Sequence, residues 1–223
     1  MIEFLQKQLF DIDYFNWWLV AAYVLLVSIF LYGILQPRRK AEWKSAGVAQ
    51  AWIIALYAEM YGTPLTAYFM MNLLGRTTED AEKHFNGHMW PIVFGIGENN
   101  LVVAQFITVL IGQFLVVAGA LLAIIGWRKL YKAVSKGEMA TTGVYRYIRH
   151  PQYTGFYLFL FGSVINWPTI ATLFTLPILC FVYFRLANFE ELESIQRFGD
   201  RYREYAKCTG KFLPRFKLGF GRV

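Results

Sequence analysis

The 223-residue chain is 57% hydrophobic, 18% aromatic and only 17% charged, where an ordinary soluble domain carries about 25% charged residues. A net charge of +7 would suit a nucleic-acid binder if it sat on one polar domain, but the basic residues lie in short segments between apolar runs, as in membrane proteins. Cys180 and Cys208 are far apart and share no ligand spacing, so they read as free thiols, without a disulfide framework.

The N-terminal "MIEFLQKQLFDID" lacks a basic start and a small-residue cleavage site. It is expected to be retained as an interfacial helix with Phe4, Leu5, Leu9 and Phe10 toward lipid. Asn16 to Leu35 is uncharged and supplies a first span of the roughly 20 apolar residues a bilayer needs. Ala46 to Gly75 supplies a second, with one charge at Glu59 and a helix breaker at Pro64. In the following "EKHFNGHMW", His84 and His88 are spaced as a metal pair would be on a helix. Gly87 weakens that helix and no third ligand is fixed, so no metal site is assigned. "GIGEN" at 95–99 follows no strand and reads as a loop rather than a dinucleotide fingerprint.

Leu101 to Trp127 is an uncharged third span, and Tyr153 to Phe184 is again without charge. That last run is too long for one helix, and its "NWP" (Asn166, Trp167, Pro168) signals a turn. Two short helices folded as a hairpin are expected there. The sum is an all-α polytopic membrane protein with five transmembrane helices. No Ser-, Gly- or Pro-rich linker divides it. Residues 1–100 are expected to form an N-terminal membrane region of two spans and an outer loop, and residues 101–223 a C-terminal region of three spans.

Lys and Arg orient the chain. Four fall in 36–45, six in 128–152 and nine from Arg185 onward, against one before the first span and two after the second. The positive-inside rule makes the rich side cytoplasmic, with the N-terminus outside and the C-terminus inside. Past the hairpin, Phe189, Leu192, Ile195, Phe198, Tyr202 and Tyr205 recur every three or four residues. They mark an amphipathic C-terminal helix, interrupted at Gly199, that either lies on the membrane or closes the cytoplasmic mouth of the bundle.

A hairpin brings its ends together, so Arg149-His150-Pro151, Arg185 and Glu190-Glu191 are expected to be neighbours. Opposite charges at the edge of hydrocarbon are costly unless paired or bound to something polar. A ligand with an anionic and a cationic end suits them; snorkelling anchors would be the plainer account.

"GVYRYIRHPQYTGF" followed by "EELESIQRFGDRYREYAKCTGKFLP" resembles the isoprenylcysteine carboxyl methyltransferases and, more remotely, the phospholipid N-methyltransferases. Gly-x-Tyr, Arg-His-Pro-x-Tyr-x-Gly, a hydrophobic hairpin, Glu-Glu, Phe-Gly-x-x-Tyr-x-x-Tyr and a closing proline, Pro214, occur in that order. The resemblance covers roughly residues 119–216. It implies methyl transfer from S-adenosyl-L-methionine to a lipophilic acceptor entering from the bilayer, without a metal. By motif position it implies a cofactor pocket of Arg149, His150, Pro151, Tyr153, Gly155, Glu190 and Glu191, covered by Tyr202 and Tyr205. Arg185 matches an arginine of the prenylcysteine enzymes and points to the acceptor side. Glu59, an ionisable group within a span, is a candidate proton acceptor there or a structural partner for a neighbouring tyrosine or helix. A nicotinamide-dependent membrane reductase of the sterol-reductase type and a non-catalytic sensor or carrier are the competing classes.

Overall fold

A computed structural model of the chain describes residues 16–29, 32, 40–73 and 98–215. The N-terminal arm, the end of the first span and the segment holding His84 and His88 lie outside the described residues. Among those described the protein is helical, apart from an isolated parallel bridge between Ile148 and Gly210. The elements are α1 (Trp17–Ser28), α2 (Lys40–Tyr57), a π-helical turn (Ala58–Gly62), α3 (Leu65–Leu73), α4 (Glu98–Ser135), a 3-10 turn (Gly143–Arg146), α5 (Pro151–Asn166), α6 (Ile170–Phe198) and α7 (Asp200–Cys208).

Two of these are long and apolar enough to cross a bilayer, Val103–Ser135 within α4 and Ile170–Phe198. The sequence led to an expectation of five spans. The stretch read as the second is broken where the chain turns extended at Thr63 before Pro64, whose ring cannot continue a helix. The first arm of the hairpin, α5, has 16 residues, about 24 Å of helix against a hydrocarbon core of about 30 Å. The second arm is not short. It runs without a break past Arg185 and the acidic pair to Phe198, so the segment read as a separate amphipathic helix is divided between α6 and α7. Glu98 and Asn99, expected in a loop, open α4.

The chain forms two compact units. The first comprises Met1–Phe114 and Phe161–Cys180. In it the Asn16 side chain accepts from the Leu19 amide at 3.2 Å and caps α1. Tyr23, Tyr57 and Tyr61 stack with ring centroids 4.6 and 5.3 Å from Tyr23. α6 starts with a reciprocal cap: the Thr169 hydroxyl accepts from the Thr172 amide and the Thr172 hydroxyl from the Thr169 amide, both at 3.0 Å. Two threonines thus do what a Ser-x-x-Glu box does elsewhere. The buried Trp52 indole donates to the Thr172 carbonyl at 3.4 Å, tying α2 to α6.

The second unit comprises Leu115–Leu160 and Phe181–Val223. Its helices meet at glycines. A Cβ on Gly119 would stand 2.5 Å from the Gly155 carbonyl oxygen, and one on Gly126 3.0 Å from the Gln152 nitrogen. Backbones approach this closely in membrane bundles because dispersion, rather than expulsion of water, holds the helices. The opposite side of the chain's helices supports that reading. Leu110, Phe114, Val117, Leu121 and Ile125 form an exposed apolar stripe along α4, and Phe174, Ile178 and Phe181 along α6, surfaces that suit lipid rather than water.

Candidate functional site

The second unit gathers most of the residues singled out by motif. Pro151 occupies the first position of α5, where its missing N–H costs no bond and its fixed φ suits the helix. The amides of Tyr153 and Thr154 both bond to the His150 carbonyl, so α5 begins directly after His150. The backbone of Arg149 and His150 is held by the chain that follows α7. The Arg149 amide donates to the Gly210 carbonyl at 2.8 Å and the His150 amide to the Lys211 carbonyl at 3.1 Å. The Thr154 hydroxyl donates to the Phe212 carbonyl at 2.7 Å. Residues 209–212 therefore form a strap across the start of α5.

Beneath this strap lies a charge cluster. Arg149 Nε donates to Glu191 Oε1 at 2.8 Å. Its Nη1 donates to the carbonyls of both Ala206 and Thr209 at the end of α7, the unsatisfied acceptors a helix C-terminus offers a cation. His150, only 4% exposed, stands with Nε2 3.3 Å from Glu191 Oε1. Its Nδ1 is 3.5 Å from Glu190 Oε2, near enough for attraction but without a hydrogen-bond partner. Burial works against a charge on His150, yet the two carboxylates outweigh it and hold its pKa above the ordinary value. The Tyr153 hydroxyl donates to Glu190 Oε1 at 2.6 Å. Lys211 Nζ donates to Glu191 Oε2 at 3.1 Å and to Asn188.

The two acidic residues are thus used differently. Glu191 is held by three basic side chains, Arg149, His150 and Lys211. Glu190 receives one hydrogen bond, from the Tyr153 phenol, and faces the unbonded Nδ1. Around them stand aromatic rings: His150 stacks on Tyr153 at 5.7 Å, and Tyr183 packs on Tyr153 and Phe156 at 5.6 and 5.1 Å. The arrangement offers carboxylate oxygens, a buried imidazole nitrogen and aromatic faces in one place. It suits a ligand with a positive charge.

Other residues singled out in the sequence fall elsewhere. Gly155 sits at the crossing with α4, where its role is close backbone packing. Tyr202 is buried and packs edge-on against Tyr205 at 5.9 Å, while the Tyr205 hydroxyl donates to the Tyr145 carbonyl at 2.6 Å. Both tyrosines hold α7 in place. Arg185 is exposed and lies 6.0 Å from the Phe181 ring centroid. It was expected beside Arg149 and Glu190, but five and six residues before the acidic pair on one continuous helix place it about 140° and 120° around the axis. Glu59 belongs to the first unit. Its carboxylate accepts from the Thr66 amide at 2.9 Å and caps the start of α3.

Several contributors carried no signal in the sequence. Lys211 is 20 residues from its carboxylate partner, so no helical spacing links them. Gln152, a position the Arg-His-Pro-x-Tyr run leaves open, accepts at 2.9 Å from the hydroxyl of Tyr145, the tyrosine of the Gly-x-Tyr motif, within the buried core beside the site, and Tyr183 reads as one more apolar residue of a span. Among the described residues no group of three or more His, Cys, Asp or Glu side chains could hold a metal ion.

Residues 101–201 match the phospholipid methyltransferase family. A protein-S-isoprenylcysteine O-methyltransferase of Schizosaccharomyces pombe is 32% identical over 78 residues, 34% of this chain and 33% of that protein. A probable protein-S-isoprenylcysteine O-methyltransferase of Oryza sativa subsp. indica is 37% identical over 79 residues, 34% of this chain and 41% of the other. The matched stretches span well under half the length of these relatives. No solved structure matches. The resemblance drawn from the motifs is thereby found again over the C-terminal part of the chain, the part that builds the site.

Proposed function

We propose that this chain, similar to phospholipid and isoprenylcysteine methyltransferases over its C-terminal part, is an integral-membrane methyltransferase that uses S-adenosyl-L-methionine to methylate a lipophilic acceptor. One observation supports this most: a buried, partly unsatisfied His150 between two adjacent carboxylates, set among aromatic rings and closed by a strap.

The residues fit that cofactor. Glu190 keeps oxygen lone pairs for the ammonium group, since the phenol of Tyr153 uses only part of its capacity. His150 Nδ1 is a buried polar atom in need of a partner. The faces of Tyr153, Tyr183 and Phe156 suit a sulfonium cation. When bound, S-adenosyl-L-methionine supplies an electrophilic methyl group for direct displacement. Glu190 and His150 orient the amino-acid end. Arg149 and Glu191 fasten α7 and the strap over the site, so that water is excluded while the reacting atoms are aligned.

On the acceptor side, Arg185 interrupts an exposed apolar face of α6 made by Phe181, Phe184 and Phe189. In this reading its guanidinium holds the polar end of a lipophilic acceptor, and it cannot act as a base. The membrane topology that goes with this reading has five spans and a cytoplasmic site, as the charge distribution argues. The deciding experiment is methyl transfer from radiolabelled S-adenosylmethionine into a total lipid extract by the purified chain, alongside calorimetry with S-adenosylhomocysteine and NADPH. Labelled lipid and binding of the homocysteine product are expected. Tight NADPH binding without transfer would overturn the reading in favour of a reductase.

A further inference from the structure

We infer that Lys211 is a positioning residue that couples the seating of the C-terminal strap to the geometry of the acidic pair, acting through Glu191. The inference rests on the cofactor-pocket reading for its consequence, though not for its geometry.

Lys211 does two things at once. Its backbone carbonyl accepts the His150 amide at 3.1 Å, fixing the residue that directly precedes α5. Its ammonium group reaches the other way, to Glu191 Oε2 at 3.1 Å and to Asn188 one turn earlier on α6. Arg149 and His150 already occupy Glu191 Oε1. Lys211 therefore supplies the bond to the second oxygen, and with it the carboxylate is held at both ends. Removing that bond leaves Glu191 held through Oε1 alone, so that it can pivot about its terminal torsion, a broad and roughly two-fold one. A rotated Glu191 would no longer meet His150 Nε2, and the ring that faces Glu190 would lose its fixed orientation.

The ammonium position is itself determined. It stands 5.3 Å from the Phe184 ring centroid and 5.8 Å from that of Phe212, so two aromatic faces support the charge as it leaves the strap. Asn188 takes a second donor. Arginine, with a planar fork on a different stem, would keep the charge and lose part of this geometry.

The test uses full-length protein in detergent micelles, with S-adenosylhomocysteine affinity and thermal unfolding measured for Lys211→Met, Lys211→Arg, Glu191→Gln and Lys211→Met/Glu191→Gln. Loss of a charge-assisted bond predicts binding about tenfold weaker or more in Lys211→Met, with Lys211→Arg recovering at least part of it. Because Lys211 acts through Glu191, adding Lys211→Met to Glu191→Gln is expected to change affinity less than about twofold, where independent roles would multiply. Wild-type affinity in Lys211→Met, or full multiplication in the double variant, overturns the inference. Should Lys211→Met fail to fold, Lys211→Gln takes its place in the cycle. A wild-type protein that binds no S-adenosylhomocysteine would sink the cofactor reading instead. The unfolding cycle on ligand-free protein then decides whether Lys211 and Glu191 are coupled, with additive shifts in Tm counting against it.

Discussion

Gly119 and Gly155 lie face to face, so that a Cβ on either would stand 2.5 Å from the other's carbonyl oxygen. That contact sets how deeply α5 beds against α4, and α5 begins at the site. Gly155→Ala and Gly119→Ala are expected to destabilise the protein by about 1–3 kcal/mol or more, since backbone cannot move aside as a side chain does. Gly47→Ala, with nothing within 4 Å of the added methyl, is the control and should leave stability unchanged or slightly raised. Thermal unfolding in detergent compares them, and equal Tm values across all three would remove the packing role.

His150→Ala and Glu190→Gln are each expected to weaken S-adenosylmethionine binding by about 1–3 kcal/mol without unfolding the protein. Glu190→Gln should act most on ligands with a free amino group, leaving affinity for methylthioadenosine, which lacks it, nearly unchanged. Calorimetry with both ligands checks this, and equal losses would deny Glu190 an ammonium contact.

The pKa of His150 is held above its ordinary value because the carboxylates of Glu190 and Glu191 outweigh the cost of burying the ring. A raised pKa contributes stability that is complete below the unfolded value, about 6.5, and is lost as pH rises through the folded one. The Tm difference between wild type and His150→Gln should therefore be largest near pH 6 and shrink toward alkaline pH. A difference that grows with pH would mean the imidazole is neutral in the folded protein.

Arg185→Ala should retain cofactor affinity, because Arg185 is exposed and turned away from the acidic pair around α6. Methyl transfer should fall sharply. Single-turnover measurements separate the two effects, and normal transfer by this variant would remove Arg185 from the acceptor side.

Glu59→Ala should cost about 0.5–2 kcal/mol, the usual range for losing a helix cap, because the carboxylate accepts the Thr66 amide. Glu59→Gln, which keeps an acceptor, should cost less. A shifted pH profile of turnover in Glu59→Gln at unchanged stability would assign proton acceptance to this residue instead of capping.

The sequence by itself determined the helical class, the long apolar helices and the turn between α5 and α6, because each rests on composition or on neighbours a few residues apart. It also marked His150, Glu190 and Glu191, since a charge beside an apolar run is visible without coordinates. It could not show that α6 continues through Arg185 to Phe198, because no breaker separates an apolar stretch from a polar one when both favour helix. Only the tertiary structure decided which carboxylate is held by Arg149, His150 and Lys211 and which is left with capacity to spare. Adjacent glutamates on a helix point about 100° apart, and what each meets depends on the strap 20 residues later. The roles of Gly155, which packs, and of Lys211, which reaches back to the acidic pair, were settled the same way. Both depend on contacts between segments whose spacing in the chain carries no period.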